Sequence, residues 1–122
     1  MKFKFMLCAL LLPLSLHAAE NRCGWVLNPT PHNVWLHDRD GTWTISMMGD
    51  YLEETPSLYR FSEAFVDESQ VVRNNGVYGY ACACMKVDIA QERERITKIY
   101  QVNQLSLKRC QDDRAIADYV LD

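Results

Sequence analysis

The feature that most constrains the fold of this chain is its set of cysteines, interpreted together with the first nineteen residues. Residues 1–19 have the layout of a secretory signal peptide, with Lys2 and Lys4 at the start, an apolar run over 6–16 and small residues at the end. We expect cleavage near Glu20. The sequence therefore predicts a signal peptide over 1–19 and a single small domain over 20–122.

A membrane anchor is the alternative interpretation of the same segment. Its apolar run has eleven residues and is interrupted by Pro13, whereas roughly 20 apolar residues are needed to cross a bilayer. A lipid anchor would require a cysteine directly after the run, but Cys8 lies within it and Cys23 lies beyond its end. We therefore expect a periplasmic or secreted protein without membrane insertion after cleavage.

Loss of Cys8 with the signal peptide converts five cysteines into an even number. In a small exported domain, four cysteines predict two disulfides. Cys82 and Cys84 are separated by one residue on a predicted strand, so their side chains point to the same face and need different partners. Pairing Cys23–Cys82 with Cys84–Cys110 is favoured, and Cys23–Cys84 with Cys82–Cys110 is nearly equal to it.

Zinc binding and redox catalysis are less favoured interpretations of these cysteines. Their one close pair has C-x-C spacing, whereas structural zinc sites use C-x2–4-C and redox motifs place two residues between the cysteines. The sequence thus predicts no metal site and no cofactor.

The charge balance limits the kind of partner. Cleavage removes two lysines and leaves eleven basic against sixteen acidic residues, a formal net charge of −5. The acids are scattered among the bases, and nucleic acid or an anionic membrane would favour a basic patch instead. A protein or envelope component is the expected partner, and a basic protein is compatible with the charge.

Two hairpins are predicted from turn chemistry. Residues 34–36 and 42–47 flank the turn 38–41, which ends in glycine, and alternation in the second arm places Trp43, Ile45 and Met47 on one buried face. Asn75–Gly76 suits a tight turn between 71–73 and a strand from residue 77 to Val87.

The remaining elements are assigned from shorter patterns. Residues 23–27 predict a strand ended by two prolines, 88–94 a loop, and 96–102 a return strand. Helical spacing predicts short helices over 57–69 and 112–121. The expected fold is mainly β (α+β): a small antiparallel sheet or sandwich of hairpins with one or two short helices, cross-linked by disulfides.

Several motifs together resemble the DUF4087 family of small bacterial exported proteins. They are Arg22-Cys23-Gly24-Trp25, Asn28-Pro29-Thr30-Pro31, Asp38-Arg39-Asp40-Gly41-Thr42-Trp43-Thr44-Ile45 and Tyr78-Gly79-Tyr80-Ala81-Cys82-Ala83-Cys84. The chain departs from the family pattern at His32 and Ala81. The resemblance implies a periplasmic or secreted protein with paired cysteines, and it supplies no assigned activity and no catalytic residue.

Catalysis has weak support in the sequence. Asp38, Asp40 and His37 could serve an envelope hydrolase or a metal-dependent enzyme, which is the alternative function. The two acids resemble a fragment of a calcium loop, yet Trp43 stands where such a loop requires glycine. No nucleophile elbow accompanies a serine. We therefore predict no catalytic residue and no metal ligand.

Aromatic residues near the first turn favour binding over catalysis. Aromatic faces are common in binding surfaces, although the same side chains often fill the core of a small sheet. The predicted function is that of a non-enzymatic exported binding protein, of the inhibitor or immunity-factor type. Its candidate surface consists of Trp35, His37, Asp38, Arg39, Asp40 and Tyr80.

Overall fold

The structure is a computed structural model that describes residues 19–49, 63–76 and 78–116. The predicted signal peptide lies almost wholly outside these ranges. Six strands join into one sheet, with two 3-10 turns at Glu68–Gln70 and Gln91–Arg93 and a short helix at Leu107–Gln111. The strands are β1 (Glu20–Thr30), β2 (Asn33–Asp38), β3 (Gly41–Ser46), β4 (Val71–Asn75), β5 (Tyr78–Ala90) and β6 (Arg95–Leu105).

Five of the strands close into a barrel. β1 pairs with β2 on one side and with β5 on the other, while the β2–β3 and β5–β6 pairs are antiparallel. A parallel contact between Thr44 of β3 and Arg95 of β6 completes the ring. The order β1-β2-β3-β6-β5, with its parallel closing pair, is that of an OB-type barrel, and β4 extends it beside the start of β5. The mainly-β prediction is confirmed.

Alternation along the strands fills the barrel interior with apolar side chains. Trp43 and Ile45 of β3 are buried as predicted, but Met47 is 45% exposed. The prediction for Met47 was wrong because β3 ends at Ser46 and alternation no longer applies beyond it. The interior cluster comprises Val26, Val34, Leu36, Trp43, Ile45, Ala83, Met85, Val87, Ile96 and Ile99.

A second apolar cluster covers the outer face of β1 and β5. Trp25, Leu27 and Cys82 pack there against Cys110 of the short helix and against Ile116. The Trp25 indole N–H donates a hydrogen bond of 3.0 Å to the Ile116 carbonyl. Because β1 and β5 are buried on both faces, their sequences are apolar without alternation at 24–27 and 81–83.

The four cysteines at 23, 82, 84 and 110 form two disulfides, as predicted, but the favoured pairing was wrong. The bonds are Cys23–Cys84 and Cys82–Cys110, with Cα atoms 4.0 Å and 5.8 Å apart. Cys23 lies directly opposite Cys84 in the β1–β5 register, whereas Cys82 lies opposite Trp25. The two β5 cysteines do point to one face and take different partners, as the spacing predicts.

The first predicted strand extends further than expected, to Thr30. Its proline, Pro29, is tolerated because it follows the last β1–β5 pair, Asn28 with Gly79. It also falls in a register irregularity of the β1–β2 pair, between Leu27 and Thr30. A residue without an N–H therefore interrupts no regular ladder there.

The two hairpins are confirmed, although Val77 in the second lies outside the described residues. The predicted loop 88–94 is shorter than expected, because β5 continues to Ala90. The return strand is confirmed as β6.

Neither helix prediction is confirmed as it was made. Residues 57–62 of the first helix lie outside the described ranges. Of its remainder, residues 63–64 are α-helical and Glu68–Gln70 form a 3-10 turn. In the predicted helix over 112–121, residues 112–116 are not helical and include turns, and 117–121 are not described. A short helix that was not predicted lies at Leu107–Gln111, where Cys110 ties it to β5. A long-range cross-link, invisible to local helical spacing, fixes this position.

Candidate functional site

An arginine at the rim of the barrel organises the site. Arg22 lies on β1 at the same alternation as the buried Gly24 and Val26, so its side chain points toward the barrel mouth. Its Nη1 donates to Asp38 Oδ2 at 2.9 Å and to Asp40 Oδ2 at 3.0 Å. Its Nε and Nη2 donate to Glu20 Oε2 at 3.0 Å and 2.7 Å. One guanidinium thus holds three carboxylates.

Asp38 is the buried member of this group. It is 4% exposed, and its Oδ1 accepts hydrogen bonds from the Trp43 indole N–H at 3.1 Å and from the Asp40 backbone N–H at 2.9 Å. The Arg22 guanidinium carbon lies 4.2 Å from the centroid of the Trp43 ring. Both carboxylate oxygens are therefore occupied, as burial of a charge requires. We call Arg22, Asp38, Asp40 and Trp43 the rim network.

The charge of Arg22 is reinforced by its surroundings. Burial on its own lowers the pKa of Arg22. Hydrogen bonds to Asp38, Glu20 and Asp40 outweigh this effect and raise the pKa above its ordinary value. These hydrogen bonds therefore favour the charged form of the Arg22 guanidinium.

The tip of the β2–β3 turn is exposed, and hydrogen bonds from residues nearer the barrel hold its Asp40. Arg39 and Asp40 are exposed at its tip, and Gly41 follows with a φ of +134°, a conformation that L side chains rarely adopt. The Asp38 carboxylate and the Arg22 guanidinium both hold Asp40. Beside the turn lies a depression of about 310 Å³, lined also by Asn21, Cys23 and Asp113.

The predicted binding residues do not form one surface in the structure. Trp35 and His37 lie on the outer face of β2, whereas Asp38 points into the barrel. Trp35 and Tyr80 are both opposite Leu27 in register, and both are half-buried against the second cluster. The Tyr80 ring packs edge-on to Trp25 with centroids 5.4 Å apart. Trp35 and Tyr80 thus contribute to packing.

His37 lies beside the turn on the outer face. Its Nδ1 is 2.9 Å from Thr42 Oγ1 on β3. Burial lowers the pKa of His37, and the negative charge of Asp38 offsets this only in part. The neutral imidazole is therefore favoured in the folded protein.

The geometry does not assemble the alternative catalytic site. His37 and Asp38 point to opposite faces of β2, and both candidate acids already hold Arg22. Within the described residues, no group of three or more His, Cys, Asp or Glu side chains could hold a metal ion. In the same part of the chain, no helix is long and apolar enough to cross a bilayer.

Sequence reasoning missed the central residue of the site. Arg22 was noted only within a family motif, because sixteen residues separate it from Asp38. Its alternation with Gly24 and Val26 was the available signal, since an arginine at an inward position requires a buried acid. Cys23 was predicted as a disulfide partner and proves to line the depression as well.

Comparison with known proteins adds a family but no activity. Searches of the curated proteins and of the solved structures found no match to the chain. A family model described as a protein of unknown function, DUF4087, matches residues 17–117. This range includes every strand of the barrel, both disulfides and the rim network. The chain therefore belongs to the DUF4087 family.

Proposed function

We propose that this protein is an exported, non-enzymatic binding protein that presents the β2–β3 turn to a protein of the cell envelope or exterior, in the manner of an inhibitor or immunity factor. One observation carries the proposal. Asp40 in the exposed tip is held through its backbone N–H by the buried Asp38 carboxylate and through its side chain by Arg22. A binding loop that is already fixed loses little conformational entropy when it meets its partner.

The charges around the turn support a protein partner. The exposed tip carries one positive and one negative side chain, Arg39 and Asp40, so it presents charges of both signs to a partner. The mature chain as a whole has a formal net charge of −5, which favours association with a basic protein. The depression beside the turn offers room for a partner side chain.

Export is supported by the cross-links and by the extent of the family match. Disulfides persist in oxidising compartments such as the periplasm, and this small domain has two. The family match begins at residue 17 and leaves the apolar run over 6–16 outside it. A cleaved signal peptide accounts for both observations.

The proposal is tested by capture on the immobilised mature protein. Periplasmic extract of the host should yield a stoichiometric partner. Capture should fall about tenfold, the effect expected of a central contact, when Arg39→Ala is combined with Asp40→Asn. The asparagine retains an oxygen that can accept from Arg22, so the turn keeps its support.

A matched control removes one positive and one negative charge at a site away from the turn. Lys108 and Asp112 form an exposed ion pair of 3.2 Å near the short helix, and Lys108→Ala with Asp112→Asn should leave capture unchanged. Equal capture by the parent protein and the turn variant would show that the turn is not the binding element.

A further inference from the structure

The two disulfides lie in different environments. Cys82 and Cys110 are 1% and 2% exposed within the second apolar cluster. Cys23 is exposed, and its partner Cys84 is half-buried. Thiol–disulfide exchange requires a thiolate to reach a sulfur atom, so exposure decides which bond reacts in the folded protein.

The exposed disulfide holds the least supported end of β1. Pairing between β1 and β2 begins at Trp25, opposite His37. Residues 20–24 pair with β5 alone. Apart from that ladder, this segment is secured by the Cys23–Cys84 bond and by the hydrogen bonds of Arg22. Cys23 is the direct neighbour of Arg22 and lines the depression next to the β2–β3 turn.

We propose that Cys23–Cys84 is a site of thiol–disulfide exchange with an external dithiol protein, and that its reduction loosens the rim network. A thiolate of the dithiol attacks Cys23 Sγ, the sulfur–sulfur bond breaks, and Cys84 leaves as a thiolate that takes up a proton. The second thiol of the partner then releases Cys23 as a thiol. The domain gains two electrons and two protons, and the dithiol becomes a disulfide.

The barrel itself should survive this exchange. Nine register pairs join β1 to β5, and Cys23 with Cys84 is only one of them. The interior cluster and the buried Cys82–Cys110 bond are separate from it. Reduction leaves residues 20–24 held only by the β1–β5 ladder and by the hydrogen bonds of Arg22, so they separate from β5 more readily, and Arg22 moves with them when they do. This proposal concerns the fold and stands whether or not the turn binds a partner.

Graded reduction tests which bond reacts. The native exported protein is treated with limiting dithiothreitol, alkylated with iodoacetamide, unfolded, fully reduced and labelled with a second reagent for mass spectrometry. We expect the first label on Cys23 and Cys84, with Cys82 and Cys110 labelled only after unfolding. Labelling of all four cysteines together, or of the buried pair first, would overturn the proposal.

A trapping experiment tests exchange with a protein. Thioredoxin whose second active-site cysteine is replaced by serine should form a mixed disulfide at Cys23. No adduct, or an adduct at Cys82 or Cys110, would contradict the assignment.

Two indole protons report on the consequence of reduction. The Trp43 N–H donates to Asp38 in the rim network, and the Trp25 N–H donates to Ile116 in the second cluster. Reduction should accelerate hydrogen exchange of the Trp43 indole severalfold and leave that of Trp25 unchanged. The variant Cys23→Ser with Cys84→Ser should behave in the same way without any alkyl group. An unchanged Trp43 rate in both samples would refute the coupling.

Discussion

Arg22 binds two acidic residues, Asp38 and Asp40, that the sequence analysis considered as candidates for function. Asp38 and Asp40 have the spacing of metal ligands, yet both accept hydrogen bonds from this guanidinium. The turn was predictable because the residues that form it are adjacent in the sequence. The ion pairs of Asp38 and Asp40 were not predictable, because their partner Arg22 is on another strand. The sequence predicted the turn, but it did not predict that Asp38 is buried against Arg22.

Replacing Arg22 tests how strongly the rim network stabilises the domain. Arg22→Ala leaves the buried Asp38 carboxylate without its cation, and breaking a buried ion pair in this way costs about 3 kcal/mol. Chemical denaturation should show this loss in the free energy of unfolding. Lys108→Ala, which removes one partner of an exposed pair, should cost less than about 1 kcal/mol. Equal costs for the two variants would contradict a structural role of the network.

His37 gives the domain a predictable response to pH. Its folded pKa is below the ordinary value of 6.5, so the unfolded chain takes up the proton first as the pH falls. The contribution of His37 to the free energy of unfolding is therefore complete above about pH 6.5 and decreases as the pH falls toward the folded pKa. His37→Gln should remove this component, seen as a difference between unfolding curves measured from pH 7.5 to 5. Parallel pH profiles for the two proteins would contradict it.

Elements were predictable where their pairing is local. Both hairpins follow from turn residues, 38–41 and Asn75–Gly76, because the arms are adjacent in the sequence. The extension of β1, the pairing of β1 with β5 and the parallel contact between β3 and β6 depend on residues far apart, and no turn signal marks them. The short helix at Leu107–Gln111 was not predicted for the same reason, since a disulfide to β5 positions it.

The short helix depends on the buried disulfide. Cys82–Cys110 closes a separation of 28 residues, for which a loss of about 3 kcal/mol is expected when the bond is removed. Cys82→Ala with Cys110→Ala should show this loss on denaturation. It should also accelerate exchange of the Trp25 indole proton and leave that of Trp43 unchanged. This result is the reverse of the one expected for the exposed disulfide, and a change confined to Trp43 would contradict it.

At the scale of the whole molecule, the family motifs largely describe the barrel. Cys23 and Cys84 form a cross-strand bond. A Cβ atom on Gly24 would collide with the His37 carbonyl of β2, so glycine permits the close approach of β1 to β2. Trp25 fills the second cluster. The motifs that carry the family resemblance therefore include residues that build the barrel and its cross-links.

The positions of the two disulfides also determine how the domain responds to mechanical force. Both are attached to β5, at Cys82 and Cys84, and they lead to Cys110 and Cys23 respectively. A pull applied between Cys23 and Cys110 therefore travels through two sulfur bridges and three residues of one strand, bypassing the rest of the chain between them. The barrel would transmit tension as a short covalent link of nearly fixed length, and it would lengthen only after one bridge had been reduced.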